Sequence, residues 1–158
     1  MSDKVAVGVK KADLSDPNLP IPSRATEGAA GFDLRADILR YEPNVSEFAI
    51  PPGKLKLVPT GLIFEIPYGF EGQVRPRSGL SLRHGITVLN SPGTIDSDYR
   101  GEVGVIIANF GDREFVIEHG QRIAQLVFQK VPDVCLVELE GLSASKRAEG
   151  GFGSSGLD

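Results

Sequence analysis

Asp96 lies in the segment Asn90-Ser-Pro-Gly-Thr-Ile-Asp-Ser-Asp-Tyr-Arg-Gly101 and directly follows apolar Ile95. Partial burial there would set a carboxylate beside a reacting water, the arrangement a general base requires. The segment reads as a β-hairpin with a wide tip, and on a strand Asp96 and Asp98 share one face while Ser97 and Tyr99 share the other. An Asp-x-Asp pair also suits a calcium loop, but EF-hand spacing is missing and the flanks are strand-like. A second segment, Val74-Arg-Pro-Arg-Ser-Gly-Leu-Ser81, gathers Arg77, Ser78 and the amide of Gly79 at a turn able to hold an anion. A helical turn from Leu80 to His84 would add its positive end; a surface turn with unpaired arginines is the plainer alternative. Gly120-Gln-Arg-Ile-Ala-Gln-Leu126 opens a strand on which the Gln125 amide can donate to a phosphate, although the segment alone is ordinary sheet. In Gly28-Ala-Ala-Gly-Phe-Asp-Leu34, small residues permit close backbone approach around the carboxylate of Asp33. A tight entry into a strand, with Asp33 satisfied by backbone amides, explains that segment equally well.

The chain ends on Arg147-Ala-Glu-Gly-Gly-Phe-Gly-Ser-Ser-Gly-Leu-Asp158. Glycine-rich backbone amides with the hydroxyls of Ser154 and Ser155 can wrap phosphate oxygens, Arg147 can pair with them bidentately, and Phe152 offers a flat face to a base. That inventory suits a nucleoside polyphosphate; a solvated Gly/Ser tail is the bland counterpart. Gly151 to Gly156 also satisfies GxGxxG, but the pyrophosphate of that motif sits on a helix N-terminus, and only two residues follow Gly156.

These groups need a scaffold. The 158 residues, 41% of them hydrophobic, suit one domain with its own core. With 17 basic and 21 acidic residues the net charge is -4, so broad attraction to nucleic acid or an anionic membrane is not expected and any phosphate site must be local. The N-terminal residues carry no signal-peptide run, and nowhere do about 18 apolar residues follow one another, so a cytoplasmic protein is expected. One cysteine and two histidines exclude a Cys/His zinc site, and Cys135, inside Val134-Cys-Leu-Val137, reads as core filler. Asn44-Val-Ser46 matches a glycosylation sequon that means nothing without secretion.

Gly and Pro recur so evenly that long helices are excluded. Between them lie short segments rich in β-branched and aromatic residues: 5–9, 54–58, 61–66, 70–74, 101–109, 114–117, 123–129 and 134–140. Many alternate apolar and polar residues as half-buried strands do, which predicts an all-β sandwich, barrel or jelly roll. The strand signal stops near Gly141, dividing a β core at 1–141 from a Gly/Ser-rich arm at 142–158.

Taken in order, GAAGFDL, RPRSGLS, NSPGTIDSDYRG, GQRIAQL and RAEGGFGSSG resemble the five motifs of the trimeric deoxyuridine triphosphate nucleotidohydrolase family, over roughly residues 21 to 156. The resemblance implies a jelly-roll-like β-barrel subunit of a homotrimer, with active sites shared between subunits and a C-terminal arm that reaches a neighbour. It implies hydrolysis of dUTP to dUMP and pyrophosphate, which lowers dUTP, keeps uracil out of DNA and supplies dUMP for thymidylate synthesis. By the same resemblance, Asn90 and main-chain groups at Thr94, Ile95 and Gly104 read the uracil edge, while Tyr99 lies under the deoxyribose and rejects a 2′-hydroxyl. Arg77, Ser78, Gly79 and Gln125 hold the phosphates; Arg147, Gly153 and Ser154 close over them, with Ser155 a further candidate, and Phe152 stacks on the base. Asp96 orients and deprotonates a water for in-line attack on the α-phosphorus. Magnesium rides on the substrate's phosphates, with Asp33 touching it through a water. Two alternatives stay open. One is the deaminase branch of the same fold, which converts dCTP to dUTP and lacks the GGFGS tail arrangement. The other is a nucleotide-sensing module that holds dUTP and signals to a protein partner without turnover.

Overall fold

In the strand Glu102–Asn109, Val103, Val105 and Ile107 point inward and are buried while Gly104 is exposed, the period of two that gives a pleated strand one apolar face. The same logic builds the rest of the chain. The structure, a computed structural model, describes residues 4–39, 44–146 and 148–150; the expectations placed on Arg147, Phe152, Gly153, Ser154 and Ser155 lie outside the described residues.

In chain order the elements are β1 (Gly8–Lys11), β2 (Phe32–Arg35), β3 (Glu47–Ile50), β4 (Leu55–Glu65), β5 (Phe70–Pro76) and α1 (Ser78–His84). They continue with β6 (Ile86–Val88), β7 (Gly93–Ile95), β8 (Glu102–Asn109), β9 (Phe115–Glu118) and β10 (Arg122–Lys130). One four-stranded sheet has the order β1-β4-β8-β6, a second β2-β10-β5-β7, and β3 pairs with β9; every pairing is antiparallel. The all-β, jelly-roll-like expectation therefore holds. Between the sheets lies one core, with Leu34, Val58, Val74, Val105, Ile107 and Leu126 among its buried members. Each such side chain contributes roughly 1.5–3 kcal/mol of burial free energy. Phe128 bridges the layers, meeting Phe32 edge-on at 5.8 Å and Phe64 at 6.2 Å.

Several expectations change. Segments 54–58 and 61–66 form one strand, β4, because the chain passes through a bulge instead of breaking: the register jumps between Pro59 opposite Gly104 and Ile63 opposite Glu102. Gly61 takes φ +68 there, its N–H donates to Glu102 Oε1 at 2.7 Å, and the Thr60 hydroxyl donates to Val103 O at 2.6 Å. The first strand begins at Gly8 rather than Val5 and extends to Lys11. The helical turn expected from Leu80 begins at Ser78, with Arg77 as its N-cap and Gly85, at φ 67, ending it.

No hairpin forms within 90–101 itself: the segment is the wide tip of the hairpin that antiparallel β6 and β8 make on either side of it. Its β7 pairs with β5 in one sheet while the following β8 pairs with β4 and β6 in the other, so the segment crosses between layers. Nor does 134–140 form a strand: sheet pairing ends at Lys130, and Val134, Leu136, Val137 and Leu139 are exposed. Cys135 is exposed with them, not core filler, because its apolar run leaves the sheet and finds no strand of this chain to pair with among the described residues.

Candidate active site

The crossover from β7 to β8 shapes the first cavity. Its walls are Asn90, Gly93, Thr94, Ile95, Asp96 and Tyr99 from the crossover, Gly104 from β8, and buried Val74, Val88, Val103 and Val105 beneath, enclosing about 180 Å³. The sequence-predicted residues Asn90, Thr94, Ile95, Asp96, Tyr99 and Gly104 are thus brought together. Asp96 itself is exposed, not partly buried: Ile95 points into the core and the next residue points out. Past β7 the chain turns, Tyr99 N–H donating to Asp96 O at 3.2 Å, so Asp96 and Tyr99 share one cavity instead of opposite strand faces. The Tyr99 hydroxyl donates to Glu102 O at 2.9 Å. Glu102 also lines this cavity, a residue that neither composition nor motif spacing singled out.

A second cavity, about 690 Å³, gathers Asp33 from β2, Arg75 from β5, Arg77, Ser78, Gly79 and Arg83 at α1, and Arg122 and Gln125 from β10. Ser78 and Gly79 open α1, and the first amides of a helix have no intrahelical acceptor, so both are free to meet an anion. Asp33 organises the cations: its Oδ1 lies 3.3 Å from Arg77 Nε, and its Oδ2 accepts from Arg122 Nη1 at 3.0 Å. Arg77 Nη1 also donates to Arg122 O at 3.2 Å. Arg75 is held aside by Gln73, whose Oε1 accepts from Nε at 3.2 Å and Nη2 at 2.6 Å. Gln125 donates to Pro76 O at 3.1 Å and packs so tightly against Gly31 that a Cβ there would come within 2.5 Å of its Oε1. The sequence reading missed Arg83 and Arg122. Arg122 stood inside a quoted motif, but only the pairing of β10 with β2 shows that it reaches Asp33.

The two cavities share no lining residue. Strand β5 lies between them, Val74 walling the first and Arg75 the second, as neighbours on a strand must. Two shifted carboxylates lie outside both. Asp16 is held below the ordinary carboxylate range by the Asn18 backbone N–H at 2.8 Å and by His119, whose Nε2 is 3.0 Å from its Oδ2. Asp37 is pushed up by burial against the opposing pull of the Asp16 N–H and His119, and its Oδ1 has no hydrogen-bond partner.

Comparison with known proteins settles the family. The dUTPase family model matches residues 17–156. The deoxyuridine 5'-triphosphate nucleotidohydrolase of Rhizobium etli (strain CIAT 652) is 57% identical over 139 residues, 88% of this chain and 86% of that protein. The chain belongs to the dUTPase family. Among solved structures, a variant of the Staphylococcus bacteriophage 80alpha dUTPase with dUpNHpp superimposes with a TM-score of 0.81 at 27% identity, covering 96% of this chain and 99% of that one. The phage phi11 dUTPase of S. aureus, described with a structural Mg(II) ion, shares the fold with a TM-score of 0.71 at 21% identity, over 86% of this chain and 97% of its own. Among the described residues no helix is long and apolar enough to cross a membrane.

Proposed function

We propose that Asp96 is the general base of this dUTPase, orienting and deprotonating a water for in-line attack on the α-phosphorus of dUTP. The overall reaction is that of the family, dUTP to dUMP and pyrophosphate. The observation that carries the assignment is the first cavity: a recess floored by valines for a base and sugar, with Asn90 and main-chain groups at one side and an accessible carboxylate at the rim. Asn90 and the amides and carbonyls of Thr94, Ile95 and Gly104 would read the uracil edge, with no space for a 5-methyl group, and Tyr99 would exclude a 2′-hydroxyl. Arg77, Ser78, Gly79 and Gln125 would hold the phosphates in the second cavity. Asp33, bonded to two guanidiniums, is better placed to aim Arg77 than to hold a metal. Arg147, Gly153, Ser154 and Phe152 would complete the site as the arm closes.

The described residues contain no group of three or more His, Cys, Asp or Glu able to cage a metal. Magnesium would enter on the triphosphate, where it would neutralise charge on the departing pyrophosphate.

The nucleoside and phosphate cavities lie on either side of β5, and the site would be assembled from different subunits of a homotrimer. Exposed Val134, Leu136, Val137, Leu139 and Leu142 supply apolar surface for a neighbouring subunit to cover. Consumption of dUTP would keep uracil out of DNA, and dUMP would feed thymidylate synthesis. Pyrophosphate release from dUTP, compared with UTP, dCTP and dTTP, tests the assignment. Ammonia from dCTP would instead reveal a deaminase, and tight dUTP binding without turnover a sensing module.

A further inference from the structure

Gly101 stands at the end of the crossover, between Tyr99 and the first residue of β8. The tyrosine ring folds back over it, because the hydroxyl reaches past Gly101 to donate to Glu102 O at 2.9 Å. Only a missing side chain permits this course. A Cβ at 101 would overlap the Tyr99 hydroxyl oxygen and lie 2.5 Å from Cζ and 2.9 Å from Cε2. Those atoms are the stiff end of an aromatic ring, which can yield only by swinging as a body about χ1 and χ2. The backbone makes no separate demand, since φ at Gly101 lies outside the left-handed region. The ring needs such a fixture, because at 46% exposure packing alone does not hold Tyr99 in place.

We propose that Gly101 is a specificity-determining residue: by leaving room for the Tyr99 ring under its Glu102 clamp, it fixes the surface against which deoxyribose is told from ribose. The inference rests on the reading of Tyr99 as the neighbour of the sugar. One oxygen atom separates the two substrates, so the barrier must be placed to a fraction of an ångström, and a displaced ring forfeits discrimination before it forfeits the fold. Gly101 acts through Tyr99 and is a positioning residue.

The test measures kcat/KM for dUTP and UTP in the parent, Gly101→Ala, Tyr99→Phe, Tyr99→Ala and the double variant Gly101→Ala with Tyr99→Ala. Gly101→Ala is expected to narrow the dUTP:UTP ratio about tenfold or more, and Tyr99→Phe, which loses only the clamp, to narrow it by less. With Tyr99→Ala already present, Gly101→Ala should change the ratio no further, since the atoms it would strike are gone. A parent-like ratio in Gly101→Ala, or an equal loss with and without the tyrosine ring, overturns the inference. Should Tyr99→Ala itself keep the parent ratio, the reading of Tyr99 fails, and the inference with it. If Gly101→Ala does not fold, Tyr99→Phe decides: a narrowed ratio supports the clamp, an unchanged one overturns it.

Discussion

At Asp96 the proposed chemistry asks for an accessible carboxylate that is aimed at the attacking water. Its aim comes from the turn to Tyr99 and from the preceding residue, Ile95, which is buried in the core. Asp96→Asn keeps the shape and removes the proposed base, so dUTP binding should persist while kcat falls about 100 to 10,000-fold. Single-turnover pyrophosphate release alongside equilibrium binding of a non-hydrolysable dUTP analogue checks both halves. Asp16 and Asp37 make opposite predictions about pH. The lowered pKa of Asp16 means stability that is present above its unfolded value of about 4 and is lost as pH falls through the lower folded value. The raised pKa of Asp37 means stability that is present below the unfolded value and is lost as pH rises through the higher folded one. Asp16→Asn should therefore flatten the acid-side loss, and Asp37→Asn should remove a cost that grows toward neutrality. Urea midpoints across the acid range, at fixed protein concentration, give both slopes.

Among the elements, β10 carries the most because it sits between β2 and β5 and presents a phosphate-cavity residue to each. Gln125 stands opposite Asp33 on one side and Arg75 on the other. Its amide is wedged by Gly31 just before β2, so Gly31→Ala should drive it off Pro76 O. The expected result is a KM for dUTP raised several-fold, on the scale of one lost hydrogen bond of about 1 kcal/mol, with thermal stability changed little. An unchanged KM would remove Gln125 from the phosphate site. The bulge in β4 works likewise at a distance: Gly61 and Thr60 bind Glu102 and Val103, and Glu102 in turn clamps Tyr99, so an irregularity in one strand steadies the turn beyond another.

As a whole, the molecule puts the groups proposed to read the base and those proposed to hold the phosphates on opposite sides of β5. If different subunits of a homotrimer complete each site, two inactive variants can repair one another. Asp96→Asn and Arg77→Ala, unfolded together and refolded as mixed trimers, should regain about one quarter of parental activity, because random assembly joins an intact Asp96 to an intact Arg77 that often. Light scattering should report the trimer. No recovery in mixed trimers of confirmed composition would place both residues of a site in one subunit.

Local sequence carried the β class and the family's reaction. Even Gly and Pro spacing forbids long helices, alternation marks strands such as Glu102–Asn109, and Arg77, Ser78, Asp96 and Tyr99 stand in the short segments that line the two cavities. Pairing was not legible there. Whether 90–101 closes on itself or crosses between sheets depends on β4, β5 and β6, all distant in the chain, and an apolar alternation at 134–140 does not say which chain will pair with it. The hold of Asp33 on Arg122 and the placing of the two cavities on either side of β5 follow from register, whereas the Tyr99–Glu102 contact, three residues apart, is local. Register is fixed by hydrogen-bonding partners that only the folded chain brings side by side.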